Sequence, residues 1–253
     1  MSVRMAERTA HEISIFNPTR LKFALRGEPT LNPYWHNIIH IFHKKLPDSQ
    51  IILTTNGDHL TTMDITQYYE EGGNTLLVDC YNKPQLLGRA RQWQEHQPLI
   101  QPEPGNKPYQ IKPDTHNLIL ITPPTVTGTT TRKLSNMAGN ITPEAIEKYE
   151  QHHTTPLEIS CSRPFGEMNI LHDGTITYCC HDGGVEYPLW HIDKGNLYFY
   201  WNHHPMLQYI RQQLYQYNRN HTLCQHCNYW GGEKQITTTT PSPYNNTPPP
   251  PSV

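Results

Sequence analysis

Long apolar runs are the first thing this 253-residue sequence lacks. Apolar residues make up only 35% of it, and no stretch approaches the length needed to cross a bilayer, so no membrane association is expected. Part of the deficit sits in the polar tail from Ile236, ITTTTPSPYNNTPPPPSV, which cannot bury apolar area and is expected to be disordered. An excess of one charge is also lacking. Twenty Lys and Arg against 22 Asp and Glu leave a net charge of −2, so no broad basic field argues for nucleic acid as a partner. The opening residues, MSVRMAERTAHEISIF, are charged and helix-like and carry no apolar signal-peptide core; a soluble, cytoplasmic protein is expected. The 16 histidines are scattered and mark no site by themselves, and internal repeats are absent. No cysteine occurs before Cys80.

The later cysteines are the most informative residues present. Cys161, Cys179, Cys224 and Cys227 are spaced C-x17-C-x44-C-x2-C. Without an export signal, a reducing compartment favours metal ligation over disulfides. The pair in Cys224-Gln225-His226-Cys227 brings two thiolates within reach of one centre, and the two upstream cysteines can complete a four-sulfur site once the chain folds back. Structural zinc usually takes two close pairs of ligands, whereas only one pair is close here. Spacing alone leaves both an iron–sulfur cluster and zinc open. Cys180 adjoins Cys179, and neighbours on a strand point to opposite faces, so one of the two is expected as a ligand. His181 and Asp182 read as solvated loop residues, with support of the ligands as the alternative. Cys80 reads as a buried thiol at a strand end, and the sequons at Asn140 and Asn220 carry no meaning without secretion.

The first half alternates short apolar runs with helical patterns. Helices are expected over 3–16, 33–45, 62–71 and 84–96, with strands over 21–25, 51–55, Thr75–Asp79 and Asn117–Ile121. In the second helix Trp35, Ile38, Ile39 and Phe42 recur at helical spacing. This alternation implies a parallel sheet or part of a β/α barrel. After about residue 140 the pattern changes. His172-Asp173-Gly174 between apolar runs at 168–171 and 175–178 signals a hairpin, because Gly tolerates positive φ. Residues 205–218 read as a helix with Pro205 in its first turn and Met206, Ile210, Leu214 and Tyr217 on one face.

Two sets of motifs carry a family resemblance. The stretch CSRPFGEMNILHDGTITYCCHD, followed by Gly195-Asn196-Leu197, Tyr200-Trp201-Asn202, Ile210-Arg211 and CQHC, resembles the auxiliary-cluster domain of radical S-adenosylmethionine enzymes, in the single-cluster Twitch form of the SPASM domain. Ser135-Asn136-Met137-Ala138-Gly139 resembles the segment that introduces this domain, with Met137 where the family commonly has Arg. In that family a cysteine lies five residues after the turn glycine, which from Gly174 implies Cys179 rather than Cys180. The resemblance thus implies a [4Fe–4S] cluster on Cys161, Cys179, Cys224 and Cys227, with no iron left open for substrate. In the first half, Arg26-Gly27-Glu28-Pro29-Thr30-Leu31-Asn32-Pro33 resembles the superfamily's GEP motif, and Thr54-Thr55-Asn56-Gly57 resembles the end of its third strand. A carboxylate at the C-terminal end of a strand can bind an ammonium group, and a loop glycine lets backbone approach a ligand. By resemblance Gly27, Glu28, Pro29 and Asn56 would lie at the methionine moiety of S-adenosylmethionine.

The superfamily's CxxxCxxC loop, which precedes the GEP motif, is not among these residues. Met1 is therefore expected to begin just after that loop, through truncation or a misassigned start; supply of the loop by another chain and loss of radical chemistry are the alternatives. The implied layout is an incomplete α/β barrel over 1–134, a small α+β SPASM/Twitch domain over 135–235 and a disordered tail over 236–253. The implied function is a radical S-adenosylmethionine oxidoreductase acting on a peptide or small-molecule substrate, with a flavodoxin or ferredoxin as electron donor. A non-catalytic iron–sulfur protein and a zinc-bound structural module are the rival readings.

Overall fold

The computed structural model describes residues 1–24, 27–79, 93, 99–100, 116–121, 156–227 and 229. They fall in two units, Met1–Arg132 and Lys133–Val253. The expected helix over 84–96 lies outside the described residues except for Trp93, which is helical and buried. Cys80, Asn140, the segment 135–139 and the tail from Ile236 also lie outside them.

In the first unit, helix α1 (Val3–Ile13) starts at Ser2, whose hydroxyl accepts the Met5 amide at 3.2 Å. Ala6, Ala10 and Ile13 recur every three or four residues and are buried, and the small alanines let α1 lie against helix α2 (Trp35–Lys45). The helix stops three residues sooner than its pattern suggested. Ser14–Phe16 tightens into a 3-10 turn and Asn17 takes a left-handed conformation ahead of Pro18. Helix α2 buries Trp35, Ile38, Ile39 and Phe42, the residues expected to form its inner face. Helix α3 (Thr62–Glu70) opens with a capping box, in which Thr61 and Asp64 satisfy one another's backbone amides.

Strands β1 (Arg20–Phe23), β2 (Gln50–Thr55), β3 (Thr75–Asp79), β4 (Leu99–Ile100) and β5 (Asn117–Ile121) form one parallel sheet in the order β1-β2-β3-β5-β4. Buried Ile51, Leu53, Leu76, Leu77, Val78, Leu118 and Ile119 explain why β2, β3 and β5 read as continuous apolar runs, as strands covered on both faces do. The N-terminal end of the sheet is stitched by side chains. Asn74 Oδ1 accepts the Ile51 amide at 2.7 Å, and the Tyr69 hydroxyl donates to the Asn117 carbonyl at 2.9 Å. The buried Tyr68 hydroxyl lies 3.0 Å from the Ile51 carbonyl and 2.8 Å from that of Thr75, where it bridges β2 and β3. This fixed edge leaves the loops after β1 and β2 to meet at the C-terminal end.

The second unit contains a short helix α4 (Arg163–Gly166), then an antiparallel sheet of β6 (Asn169–Ile170), β7 (Thr175–Thr177) and β8 (Pro188–His191). The expected hairpin is there, with Gly174 at φ 94° and the Asp173 carboxylate accepting the Thr175 amide at 2.9 Å. Its strands are shorter than their apolar runs, and β8 is a third strand that the sequence did not announce. Helices α5 (Leu197–His203) and α6 (Pro205–Tyr215) follow. On α6, Ile210 and Leu214 are buried as expected and Leu207 joins them, while Tyr217 lies beyond the helix with φ 60° and 38% exposed. Tyr178, Leu189 and Leu223 complete this core, and Cys161, Cys179, Cys224 and Cys227 pack against it. Arg211, only 3% exposed, donates to the carbonyls of Pro164 and Trp201 at 2.8 and 2.7 Å and stacks over the Trp201 ring, tying α4, α5 and α6 together.

Replacing Tyr68 by Phe removes the donor between β2 and β3 while keeping the ring. We expect a loss of about 1–2 kcal/mol, read from the urea midpoint by circular dichroism; an unchanged midpoint would show that the bridge contributes nothing.

Candidate functional site

The four cysteines predicted as ligands come from three segments and line one cavity, together with Arg163, His181 and Tyr229. Each segment is fixed by a different local cause. Cys224 lies in a 3-10 turn, Thr222–His226, and the Cys227 amide donates to the Cys224 carbonyl at 3.2 Å; that single turn brings both thiols to the same side. The turn is held to β7 by Tyr178, which is fully buried. Its hydroxyl accepts the Leu223 amide at 3.3 Å and bonds the Thr222 hydroxyl at 2.8 Å. Cys179 follows Tyr178 directly, so the residue that anchors the CxxC turn also places the second ligand segment.

The first segment is held by Arg219. This side chain is 2% exposed, and its guanidinium donates to the carbonyls of Ile159, Ser160 and Tyr229 at 2.9, 2.8 and 2.6 Å. Those carbonyls stand just before Cys161 and just after Cys227, so one cation ties the two ends of the cysteine array. Among the described residues, no three His, Cys, Asp or Glu side chains gather closely enough to hold a single metal ion.

Strand β7 ends at Thr177, so Cys179 and Cys180 both lie beyond it and are separated by a turn rather than by a pleat. Cys179 lines the cavity, whereas Cys180 accepts a hydrogen bond from Arg163 Nη1 at 2.8 Å. The Cys179 thiol bonded to Cys180 draws the latter below its ordinary range, to about 7, against the upward push of burial and with Arg163 assisting. Sharing that proton with Cys180, and then burial, push Cys179 up. Burial pushes Cys224 up to about 12, with Cys227 and Cys161 adding to it and Arg219 opposing, and burial likewise raises Cys161. Metal ligation needs thiolates, so binding here must displace protons.

His181 and Asp182 are not solvated. They are 5% and 1% exposed, and Asp182 accepts the amides of Glu186 and Tyr187 at 2.8 and 3.0 Å, closing the loop that leads into β8. The His181 amide donates to Cys179 Sγ at 3.4 Å, its Nδ1 lies 3.8 Å from Cys227 Sγ, and Tyr229 N–H donates to Cys227 Sγ at 3.4 Å. Burial, with Arg163 beside it, lowers His181 to about 4, so the ring is neutral near pH 7. Arg163, Arg219, Tyr178 and Tyr229 were not singled out from the sequence. Arg163 stands inside the quoted CSRPFGEMN run, but nothing in spacing marks it.

In the first unit the two remaining predicted segments meet through Glu28. Its Oε1 accepts the Thr30 amide and hydroxyl at 3.0 and 2.7 Å and the Thr55 hydroxyl at 2.7 Å, while Oε2 accepts the Asn56 amide at 2.7 Å. The carboxylate predicted to face an ammonium therefore spends most of its acceptor capacity joining the loop after β1 to the end of β2. Burial pushes its pKa up, but the bonds from Asn56, Thr55 and Thr30 together outweigh this and hold it below the ordinary value. Pro29 opens the 3-10 turn Pro29–Leu31 that Glu28 caps. Gly27 has φ 72° with open space where a Cβ would stand, so its requirement is conformational and its backbone is approachable.

Two outcomes test these arrangements. Arg219→Met leaves three carbonyls without their donor and should cost about 3 kcal/mol or more in unfolding free energy, whereas a loss under about 1 kcal/mol would show that the tie is dispensable. Because Glu28 titrates lower in the folded chain, its contribution is present above the ordinary carboxylate value and lost as pH falls through the folded value. Urea midpoints of wild type and Glu28→Gln should therefore differ at pH 7 and converge as pH falls below the ordinary carboxylate range; a gap constant with pH would assign the effect to shape alone.

Residues 161–228 match the family model of the SPASM iron–sulfur cluster-binding domain. No curated protein matches the sequence. Among solved structures, BtrN in complex with AdoMet and 2-DOIA is 18% identical with a TM-score of 0.66, over 93% of this chain and 84% of that one. Selenomethionine BtrN in an open conformation is 16% identical with a TM-score of 0.61, over 90% and 80%. The match extends well beyond the cysteine-bearing residues, so the likeness takes in more than the matched domain. Residues 161–228 thus match the SPASM iron–sulfur cluster-binding domain, and the chain as a whole shares the fold of BtrN.

Proposed function

We propose that this chain works as a radical S-adenosylmethionine oxidoreductase in which Cys161, Cys179, Cys224 and Cys227 hold an auxiliary [4Fe–4S] cluster. The observation that carries this reading is the cavity lined by four thiols inside the stretch that matches the SPASM domain. The donor set fits the group: it is all sulfur, half-buried, and flanked by two arginines that offset thiolate charge. The match of this stretch to an iron–sulfur cluster-binding domain favours a cluster over one zinc ion. Such a group supplies one-electron exchange during radical modification of a peptide or small-molecule substrate.

The loops joined by Glu28 are the proposed contact for the methionine end of S-adenosylmethionine. BtrN was solved with AdoMet bound, and Gly27, Pro29 and Asn56 flank the carboxylate that sets both loops here. With Glu28 occupied by four donors, the Gly27 backbone rather than the free carboxylate is the proposed first contact. A CxxxCxxC-bearing segment, from the same gene or a second chain, would complete this half, and a reduced flavodoxin or ferredoxin would supply electrons.

Anaerobic purification tests the cluster. About four irons and four sulfides per chain with broad visible absorbance are expected; a colourless protein with one zinc overturns the reading. Cys224→Ser should lose the iron and destabilise the second unit, whereas Cys180→Ser should keep it; equal loss in both would move the ligand from Cys179. When the protein carries the CxxxCxxC segment, 5′-deoxyadenosine should form from S-adenosylmethionine and reduced flavodoxin, and its absence with both clusters loaded would leave an electron carrier.

A further inference from the structure

Resting on the cluster reading, the geometry points to His181 as a residue that tunes the reduction potential of the group on Cys227, with its active tautomer selected by Arg163. Two contacts of one imidazole carry this. His181 Nε2 lies 3.0 Å from Arg163 Nη1, and His181 Nδ1 lies 3.8 Å from Cys227 Sγ. A guanidinium has donors and no acceptor, so Nε2 must present its lone pair and the ring proton must sit on Nδ1. The opposite tautomer would set N–H against N–H at Arg163 and a lone pair against the Cys227 thiolate, two repulsions at once. In the selected form, Nδ1–H is directed at the sulfur.

Arg163 can impose this choice because it is itself fixed. Its guanidinium lies 3.8 Å over the Tyr229 ring, and the same Nη1 donates to Cys180 Sγ at 2.8 Å, so the two hydrogens of one nitrogen are spoken for. This gives Cys180 a role although it lies outside the thiol cavity: it anchors the arginine that orients His181. The His181 ring meets Tyr229 edge-on, and the amides of His181 and Tyr229 donate to Cys179 and Cys227 Sγ. Adding one electron increases negative charge on the sulfurs, and an N–H donor stabilises that state more than the oxidised one. Hydrogen bonds to cluster sulfurs therefore raise the potential.

The test is an EPR-monitored redox titration with dithionite of the anaerobically purified full chain, alongside its iron and sulfide content. His181→Phe keeps the ring volume without the donor. We expect its midpoint to move negative, so that at a fixed potential the reduced-to-oxidised ratio falls about fivefold. His181→Asn places an amide N–H where Nδ1–H stood and should restore most of the shift. ENDOR of the reduced wild type should show an exchangeable proton coupled to the cluster, lost in His181→Phe and kept in His181→Asn. If His181→Phe loses iron, the comparison of His181→Asn with His181→Gln, whose amide mimics Nε2, decides the matter. An unshifted midpoint at full iron, or equal shifts in the Asn and Gln variants, overturns the assignment. Absence of a cluster from wild type would instead sink the reading on which it rests.

Discussion

The cysteine site depends on one buried cation. Arg219 spends its donors on three main-chain carbonyls that flank the first and last cysteines of the array. Those carbonyls belong to chain segments some seventy residues apart, on either side of the hairpin and helices, so closing the loop between them costs conformational entropy. A charged donor satisfying three carbonyls is the kind of contact strong enough to offset it, since bonds from ionised groups are about twice as strong as neutral ones. Tyr178 does the equivalent work from inside the core, joining β7 to the CxxC turn through one hydroxyl. Between them, these two side chains set where all four thiols stand.

The two arginines at the cavity also answer an electrostatic problem. Thiols buried together resist ionisation, as the upward shifts of Cys161 and Cys224 show, yet ligation requires thiolates. Arg219 opposes the shift of both cysteines and Arg163 that of Cys161. A guanidinium is a permanent cation in proteins, so positive charge stands at the cavity whatever the site holds. Shape and charge therefore come from the same residues, which explains how a half-open cavity can be prepared for a negatively charged set of ligands.

What the sequence made legible follows from what kind of signal each feature leaves. The parallel strands β2, β3 and β5 and the inner face of α2 were readable because burial on both faces, or on one stripe, imposes a periodic apolar pattern. The four cysteines were readable because their chemistry is rare and their spacing is distinctive. Strand β8 was not, since Pro188-Leu189-Trp190-His191 is too short to show a period. Arg163, Arg219 and Tyr178 were not either: each acts through one long-range contact, and a single Arg or Tyr in sequence carries no mark of the carbonyl or sulfur it will meet. His181 and Asp182 were read as solvated because polar residues beside a turn usually are. Here the loop folds inward and both are paired with backbone or sulfur.

Glu28 shows what an acid in a ligand-binding motif can do within the fold itself. The GEP and TNG segments were expected to serve one ligand, and the structure joins them directly through the Glu28 carboxylate. A carboxylate that already accepts four hydrogen bonds has little to gain from a fifth partner, and those bonds hold its pKa below the ordinary value against the upward push of burial. Its value lies in geometry. By fixing Thr55 and Asn56 against Thr30 it holds two loops at the C-terminal end of the sheet, where ligands of open and closed parallel α/β folds collect. It also leaves the Gly27 backbone, at φ 72° with open space beside it, as the surface that can be approached. The acid is then the fastener of the two loops, and the neighbouring glycine is the proposed ligand contact.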